Sequence, residues 1–320
     1  MNTEINPVVQ LRGVSKVYRT QAREQRRVVD ELNLTLEAGE VLGLLGVNGA
    51  GKTTTIKMIC GLIEPTAGSI SINGLDVRRS RLRAMSQIGA VLEGTRNIYW
   101  PLSAWENLRY FARLKGCRGR AWQARAEQLL TELELWDRRD DPVAKFSRGM
   151  QQKVAIACAL IADPPVLLLD EPTLGLDAQA AQTTRTWVDR LAREEGKTVL
   201  LTSHQLDLVE GLCDRVAVIH QGRLLVDNPI KELLALFRGD TYELHFTGHL
   251  DGAAQLWNGF EAAVQGEEIT LTGEVAGQDE LYALLVRARG CALTLVSVNR
   301  VEPTLEEVFL RLVHEDGELS

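Results

Sequence analysis

Gly46-Val47-Asn48-Gly49-Ala50-Gly51-Lys52-Thr53 fits the pattern G-x-x-x-x-G-K-[ST] at every fixed position. The apolar run Val41 to Leu45 precedes it and reads as a buried strand, and a helical pattern from Thr53 to Leu62 follows it. A glycine-rich turn between a strand and a helix gathers backbone N–H groups around an anion, and the positive end of the helix adds to them. In such a loop Lys52 supplies a point charge for the β- and γ-phosphates of a nucleotide, and the Thr53 hydroxyl is an oxygen ligand for Mg²⁺. Residues Gly46, Val47, Asn48, Gly49, Ala50, Gly51, Lys52, Thr53 and Thr54 are therefore the expected nucleotide cradle. The alternative, a glycine turn with a solvated lysine, gives no reason for the flanking strand and helix.

Downstream, Val166-Leu167-Leu168-Leu169 ends in Asp170-Glu171. An apolar strand that ends in an aspartate places a hard oxygen near a metal, and the next carboxylate, Glu171, can accept a proton from an attacking water. Val8–Leu11, Val28–Leu36, Ile88–Leu92, Lys197–Thr202 and Val216–Ile219 are further strand candidates, with Arg19 to Arg27 a charged interruption between the first two. Pro65 to Gly68 reads as a turn and Asn73-Gly74 as a hairpin turn. Apolar strands separated by helices predict an α/β fold with a mostly parallel sheet covered on both faces.

Within this frame, about 94–163 turns helical. Ser103 with Glu106 forms a capping box ahead of Trp105, Leu108, Ala112 and Lys115, and Ala121 to Leu135 carries a second apolar stripe. A helical subdomain inserted into a sheet domain spanning 1–238 is expected. Residues 239–320 change character. Tyr242–Phe246, Glu268–Thr272 and Ala292–Val298 read as strands, and Gly248–Gly259 and Asp279–Arg289 as helices. That alternation predicts a small α+β domain of ferredoxin-like type.

The composition narrows the function. The 320 residues carry 36 Lys and Arg against 43 Asp and Glu, a net charge of −7 that argues against a nucleic-acid partner. The longest uninterrupted apolar run, Val154 to Ala162, is nine residues, and a membrane helix needs about 20. The first residues lack the basic-then-apolar run of a secretory leader. The five cysteines form no C-x-x-C pair and read as small buried hydrophobes in a reducing cytosol. A role at a membrane would need another chain to do the spanning.

Phe146-Ser147-Arg148-Gly149-Met150-Gln151-Gln152 precedes Asp170 and opens a helical run, and Ser203-His204 follows the strand after it. The order of phosphate loop, Glu93 segment, this motif, Asp170-Glu171 and His204 resembles the ATP-binding subunits of ABC transporters over residues 8 to about 235. It is most similar to subunits of ABC-2 type exporters of the daunorubicin-resistance and sodium-efflux groups. The trailing Val301-Glu302-Pro303-Thr304-Leu305-Glu306-Glu307-Val308-Phe309 also resembles them.

The resemblance implies a P-loop NTPase fold and an ATPase using ATP and Mg²⁺. It implies a second ATP-binding subunit, in a homodimer or heterodimer, and a separate ABC-2 type transmembrane permease at the inner face of the cell membrane. Tyr18 lies where an aromatic stacks on adenine. Ser147 and Gly149 would bind the γ-phosphate held by the second subunit, and Leu174-Gly175-Leu176-Asp177 resembles the loop linking the two sites. His204 would contact the γ-phosphate and help orient water. The helical subdomain would dock the permease, where Tyr99, Trp100, Trp105 and Tyr110 are interface anchors or core residues.

Two departures stand out. The usual Leu-Ser-Gly-Gly-Gln reads Phe-Ser-Arg-Gly-Met here, keeping Ser147 and Gly149. Glu93 replaces the usual Gln; it is either a metal ligand with an extra charge or a surface glutamate. A soluble ABC ATPase of DNA repair or translation, and a non-catalytic regulatory module, are the rival readings. Long coiled coils or a second cassette would mark the first, and loss of Lys52, Asp170, Glu171 or His204 the second.

Overall fold

Residues 7–19, 25–94, 97–237, 239–248, 259–275 and 277–318 are described in a computed structural model. They divide into two units, Met1–Ile230 and Lys231–Ser320.

In the first unit, β1 (Val9–Arg19) and β2 (Gln25–Leu36) pair as a long antiparallel hairpin. They are followed by β3 (Val41–Leu45), α1 (Lys52–Ile59), β4 (Ala67–Ile72), β5 (Leu75–Asp76), α2 (Arg81–Ser86) and β6 (Ile88–Val91). The helical stretch comes next, with α3 (Ala104–Leu114), α4 (Ala121–Glu132) and α5 (Arg148–Leu160). Then come β7 (Val166–Asp170), α6 (Ala178–Arg193), β8 (Thr198–Thr202), α7 (Leu206–Leu212), β9 (Arg215–His220) and β10 (Arg223–Pro229). A short α8 (Ile230–Leu236) begins where the units divide.

The expected single sheet is two sheets. A six-stranded sheet runs β10-β9-β3-β8-β7-β6, parallel except for the antiparallel edge strand β10. A separate antiparallel sheet runs β2-β1-β4-β5. The physical difference lies in burial. β3, β7 and β8 are buried at every residue, as strands covered on both faces must be. In β2, Leu32, Leu34 and Leu36 are buried while Glu31 and Asn33 face solvent, the alternation of a half-covered antiparallel strand. Of the charged stretch read as an interruption, Arg19, Gln25, Arg26 and Arg27 belong to the strands of this hairpin, where Tyr18 pairs with Arg26 and Arg19 with Gln25; residues 20–24 lie outside the described ones.

Both sheets bury apolar faces in one core that takes in Leu34, Leu36, Leu42, Leu44, Ile56 and Leu168. Each such side chain contributes roughly 1.5–3 kcal/mol of transfer free energy, which fixes the strand ends that carry the site. Asn73-Gly74 makes the β4–β5 turn, both residues at positive φ (49° and 72°) as that turn requires.

The helical stretch is knit by local chemistry. Ser103 Oγ accepts from Glu106 N–H at 3.1 Å, and the Glu106 carboxylate accepts from Ser103 N–H at 3.0 Å, so the capping box forms. Trp105 packs against Trp122 and Trp136, at ring centroids 5.2 and 6.0 Å away. Tyr99, Trp100 and Tyr110 are exposed, with Tyr99 and Tyr110 edge to face at 4.8 Å.

The second unit contains β11 (Thr241–Thr247), β12 (Phe260–Gln265), β13 (Glu268–Glu274), α9 (Gln278–Gly290), β14 (Thr294–Arg300) and α10 (Leu305–Glu318). Its antiparallel sheet runs β12-β13-β11-β14. With an intervening helix after β11 this would be the ferredoxin-like order, but the expected Gly248–Gly259 helix lies, at 249–258, outside the described residues. Leu244, Phe246, Ile269, Leu271 and Leu284 form its core.

Candidate functional site

The side chains singled out in the sequence meet at the C-terminal ends of the parallel strands, where ligands of open α/β sheets bind. The glycine loop leaves β3, Glu93 follows β6, Asp170 ends β7 and His204 follows β8. The register makes those ends level: Thr202 pairs with Leu44 on one side and with Asp170 on the other. A pocket of about 230 Å³ opens there, lined by residues 48–54, Val28, Glu93, Asp170, Glu171 and His204.

Helix α1 starts at this pocket without a side-chain cap. Its N-cap is Gly51, at φ 112°, and a Cβ there would sit 2.7 Å from the Val28 carbonyl oxygen. Only glycine takes that backbone beside that carbonyl. The first N–H groups of the helix therefore meet no capping side chain and can serve an anion. Lys52 is 7% exposed, and its ammonium donates to the Gly46 carbonyl at 2.6 Å. Burial pulls its pKa below the ordinary lysine value, against the opposing pull of Glu171, Asp170 and Glu93. A cation half-stripped of water close to three carboxylates is a strong partner for a phosphate oxygen.

Asp170 is 2% exposed. Its Oδ1 accepts from Thr202 Oγ1 at 2.8 Å and lies 3.5 Å from Thr53 Oγ1; its Oδ2 is buried without a hydrogen-bond partner. A buried, unpartnered carboxylate oxygen beside a threonine hydroxyl fits a hard divalent cation. Glu171 takes φ 53°, an unusual backbone for its type. That turn is held by its N–H, shared between Thr202 Oγ1 (3.0 Å) and the Thr202 carbonyl (3.2 Å). Its Oε2 accepts from His204 N–H at 3.3 Å. Its Oε1 lies 3.3 Å from His204 Nε2, within ion-pair range but without hydrogen-bond alignment, and so remains a buried acceptor without a hydrogen-bond partner. Burial raises the Glu171 pKa above the usual carboxylate value, while His204 and Lys52 pull the other way. A buried carboxylate with one free oxygen and a raised pKa is built to take a proton.

Gly46 and Val47 open the loop without lining this pocket, and three further expected residues stand apart from it. Tyr18 is exposed on β1, with Lys16 Nζ 5.1 Å from its ring centre, and it does not line the pocket; Val28 does. Ser147 and Gly149 do not line it either. Ser147 caps α5, its hydroxyl accepting from Met150 N–H at 3.3 Å, and Gly149 lies so close to α6 that a Cβ would meet that of Ala180 at 2.9 Å. Gln151 Nε2 donates to the carbonyls of Val143 and Phe146 and so secures the approach to this helix. Arg148, in place of the usual glycine, lies against Gly175. Thr202 escaped the sequence reading. Its only signal is a polar residue ending an apolar strand just before Ser203-His204.

A family model described as ABC transporter matches residues 29–174. The ABC transporter ATP-binding protein NatA of Bacillus subtilis (strain 168) is 40% identical over 224 residues, which cover 70% of this chain and 91% of NatA. The chain belongs to the ABC transporter family. It is an ATP-binding cassette and an ATPase. The daunorubicin resistance ATP-binding protein DrrA3 of Streptomyces coeruleorubidus is 34% identical over 294 residues, 91% of this chain and 92% of that protein. Among solved structures, an ATP-binding subunit of an ABC transporter aligns with TM-score 0.65 at 33% identity, over 72% of this ABC ATPase and 93% of that chain. The ATP-binding cassette MJ0796, a dimer bound to ADP and Pi in a post-hydrolysis state, aligns with TM-score 0.63 at 27% identity, over 69% and 98%. Residues 241–299 match a domain of unknown function.

Proposed function

We propose that this ABC ATPase powers export through a separate ABC-2 type permease, working as one of two ATP-binding subunits at the inner face of the membrane. The observation that carries the reading is the separation of Ser147 and Gly149 from the pocket around Lys52. A helix start whose N-cap is a serine hydroxyl is a good anion site, and here it serves no nucleotide of its own chain. A second subunit facing it supplies one. The relatives support this reading: the MJ0796 cassette is described as a dimer with ADP and Pi, and DrrA3 is named for daunorubicin resistance. No helix of the described residues is long and apolar enough to cross a membrane, which accords with a separate permease.

In this mechanism the 46–54 loop and Lys52 hold the triphosphate, and Tyr18 stacks on the adenine. Thr53, Asp170 and Glu93 would hold Mg²⁺, which when bound would supply positive charge to offset the charge of the triphosphate. Glu171 accepts a proton from the attacking water at its free Oε1, and the His204 N–H holds that carboxylate from the turn after β8. Ser147 and Gly149 of the second subunit close the site, so that binding joins the subunits and hydrolysis parts them. Positioning and charge stabilisation supply most of the rate.

Mixing two inactive variants tests the pairing. Lys52→Ala and Ser147→Ala chains, each slow alone, should together regain turnover, because one mixed site has both elements intact. Gel filtration with Mg-ATP should show a dimer for Glu171→Gln. A monomer turning over ATP at the full rate, or mixing without recovery, overturns the proposal. Co-purification of the chain with the membrane fraction tests the permease.

A further inference from the structure

The loop after β6 carries Glu93, and one side chain holds the backbone on both sides of it. Asn97 Oδ1 accepts from Leu92 N–H at 3.0 Å, while its Nδ2 donates to the Leu92 carbonyl at 2.6 Å and to the Gly94 carbonyl at 3.0 Å. The chemistry of the partners fixes which way the amide points: an N–H can only donate and a carbonyl can only accept. A carboxamide is the one side-chain group that offers both functions with the reach of a peptide unit, so Asn97 stands in for a neighbouring strand just past the end of β6. Glu93 itself is exposed and makes no hydrogen bond among those described for its side chain, yet it lines the pocket with Asp170 and Glu171. The clamp fixes the backbone from which the Glu93 side chain departs.

We infer that Asn97 is a positioning residue that holds the Glu93 carboxylate at the metal-binding edge of the pocket. The inference rests on the reading of Glu93 as a metal ligand. It also explains how a charged ligand on this loop keeps its place, where one on a loose loop would stray towards Lys52 or solvent. The far end of the segment is secured separately, since Asn107 accepts from Tyr99 N–H at 2.8 Å and donates to the Tyr99 and Ser103 carbonyls at 3.0 and 2.9 Å. Removal of the Asn97 amide should therefore free the Glu93 turn and leave the helical stretch folded.

Mn²⁺ binding in the presence of a non-hydrolysable ATP analogue, read by EPR, tests this in four chains: the parent, Asn97→Ala, Glu93→Ala and the double variant. Loss of an outer partner of a ligand weakens metal binding about tenfold, and Asn97→Ala should do so in the parent and not in the Glu93→Ala background. Asn97→Asp, which keeps the acceptor but turns a carboxylate towards two carbonyl oxygens, should behave as Asn97→Ala. Amide exchange at Leu92 should speed up in Asn97→Ala, which removes its acceptor. If Asn97→Ala weakens Mn²⁺ equally with and without Glu93, or leaves affinity or Leu92 exchange unchanged, Asn97 has no positioning role and the reading of Glu93 survives. If Glu93→Ala alone leaves Mn²⁺ affinity intact, the ligand reading itself falls, and this inference with it.

Discussion

Thr202 Oγ1 donates to Asp170 Oδ1 at 2.8 Å and accepts from Glu171 N–H at 3.0 Å, so one hydroxyl on β8 fixes two successive carboxylate residues at the end of β7. Asp170 Oδ2 is left turned away and unpartnered. The same atom thus sets the aim of the proposed metal ligand and the strained turn of the proposed base.

Thr202→Val keeps the branched shape that suits β8 and removes only this hydroxyl. The expected result is a Mg²⁺ concentration for half-maximal ATP turnover raised about tenfold, as for loss of an outer partner of a metal ligand. A hydrogen bond to a charged group contributes about 1.5–3 kcal/mol, so the melting temperature should fall as well. Mg²⁺ titration of turnover and thermal unfolding measure both. An unchanged Mg²⁺ requirement would show that Asp170 needs no such support.

The raised pKa of Glu171 sets a pH dependence. A base works ionised, and its ionised fraction falls as pH drops through its pKa. Because burial lifts that pKa above the usual 4.5, the acid limb of the turnover profile should lie above 4.5. The neighbouring His204 holds the Glu171 pKa down; His204→Ala removes that pull and should move the limb to higher pH. The stability change has its own sign. A carboxyl whose folded pKa is raised favours the folded state when protonated, so its contribution is present at low pH and is lost as pH rises through the folded value. Turnover measured from pH 4 upward in parent and His204→Ala decides; a limb that stays or moves down refutes the assignment.

Much of this site was legible because its residues sit in a fixed chain order on uniformly apolar strands. Val41–Leu45 and Val166–Leu169 need both faces covered, which demands helices on either side and a parallel sheet. The second sheet is hidden when Val28–Leu36 is taken as one more strand of a parallel sheet. The alternation Glu31-Leu32-Asn33-Leu34-Thr35-Leu36 was there to be read as a half-exposed antiparallel strand. β12 was missed for a different reason: Phe260 to Gln265 is almost wholly exposed, so its only support is pairing with β13, which no local pattern announces. Thr202 and Asn97 were invisible because their roles depend on partners: a strand neighbour 32 residues away for Thr202, and backbone groups rather than side chains for Asn97. A motif records which residues touch a ligand and leaves out those that aim them.

Gly51→Ala tests how the cradle is built. At φ 112° an alanine is strained, and its Cβ would stand 2.7 Å from the Val28 carbonyl oxygen. Strain of this kind costs on the order of 1–3 kcal/mol, and relief requires the loop or β2 to shift. The melting temperature should fall, and ATP affinity should fall further than stability alone explains, because the uncapped N–H groups of α1 lose their aim. Calorimetric unfolding with and without Mg-ATP separates the two effects. Equal stabilisation by ATP in parent and variant would show that the loop tolerates a side chain there.

Ser147 has two jobs that chemistry can separate. Its hydroxyl caps α5 by accepting from Met150 N–H, and in the proposed dimer it also meets the partner's nucleotide. Replacing an N-cap serine by alanine costs about 1 kcal/mol, whereas glycine costs only a few tenths. Ser147→Ala should therefore lower the melting temperature clearly and Ser147→Gly hardly at all. Both remove the hydroxyl, so both should slow turnover by about tenfold or more, the equivalent of one lost hydrogen bond to a charged group. A rate loss that tracks the melting temperature would confine Ser147 to its own helix. A rate loss shared by both variants, with stability lost in only one, places the hydroxyl against a phosphate.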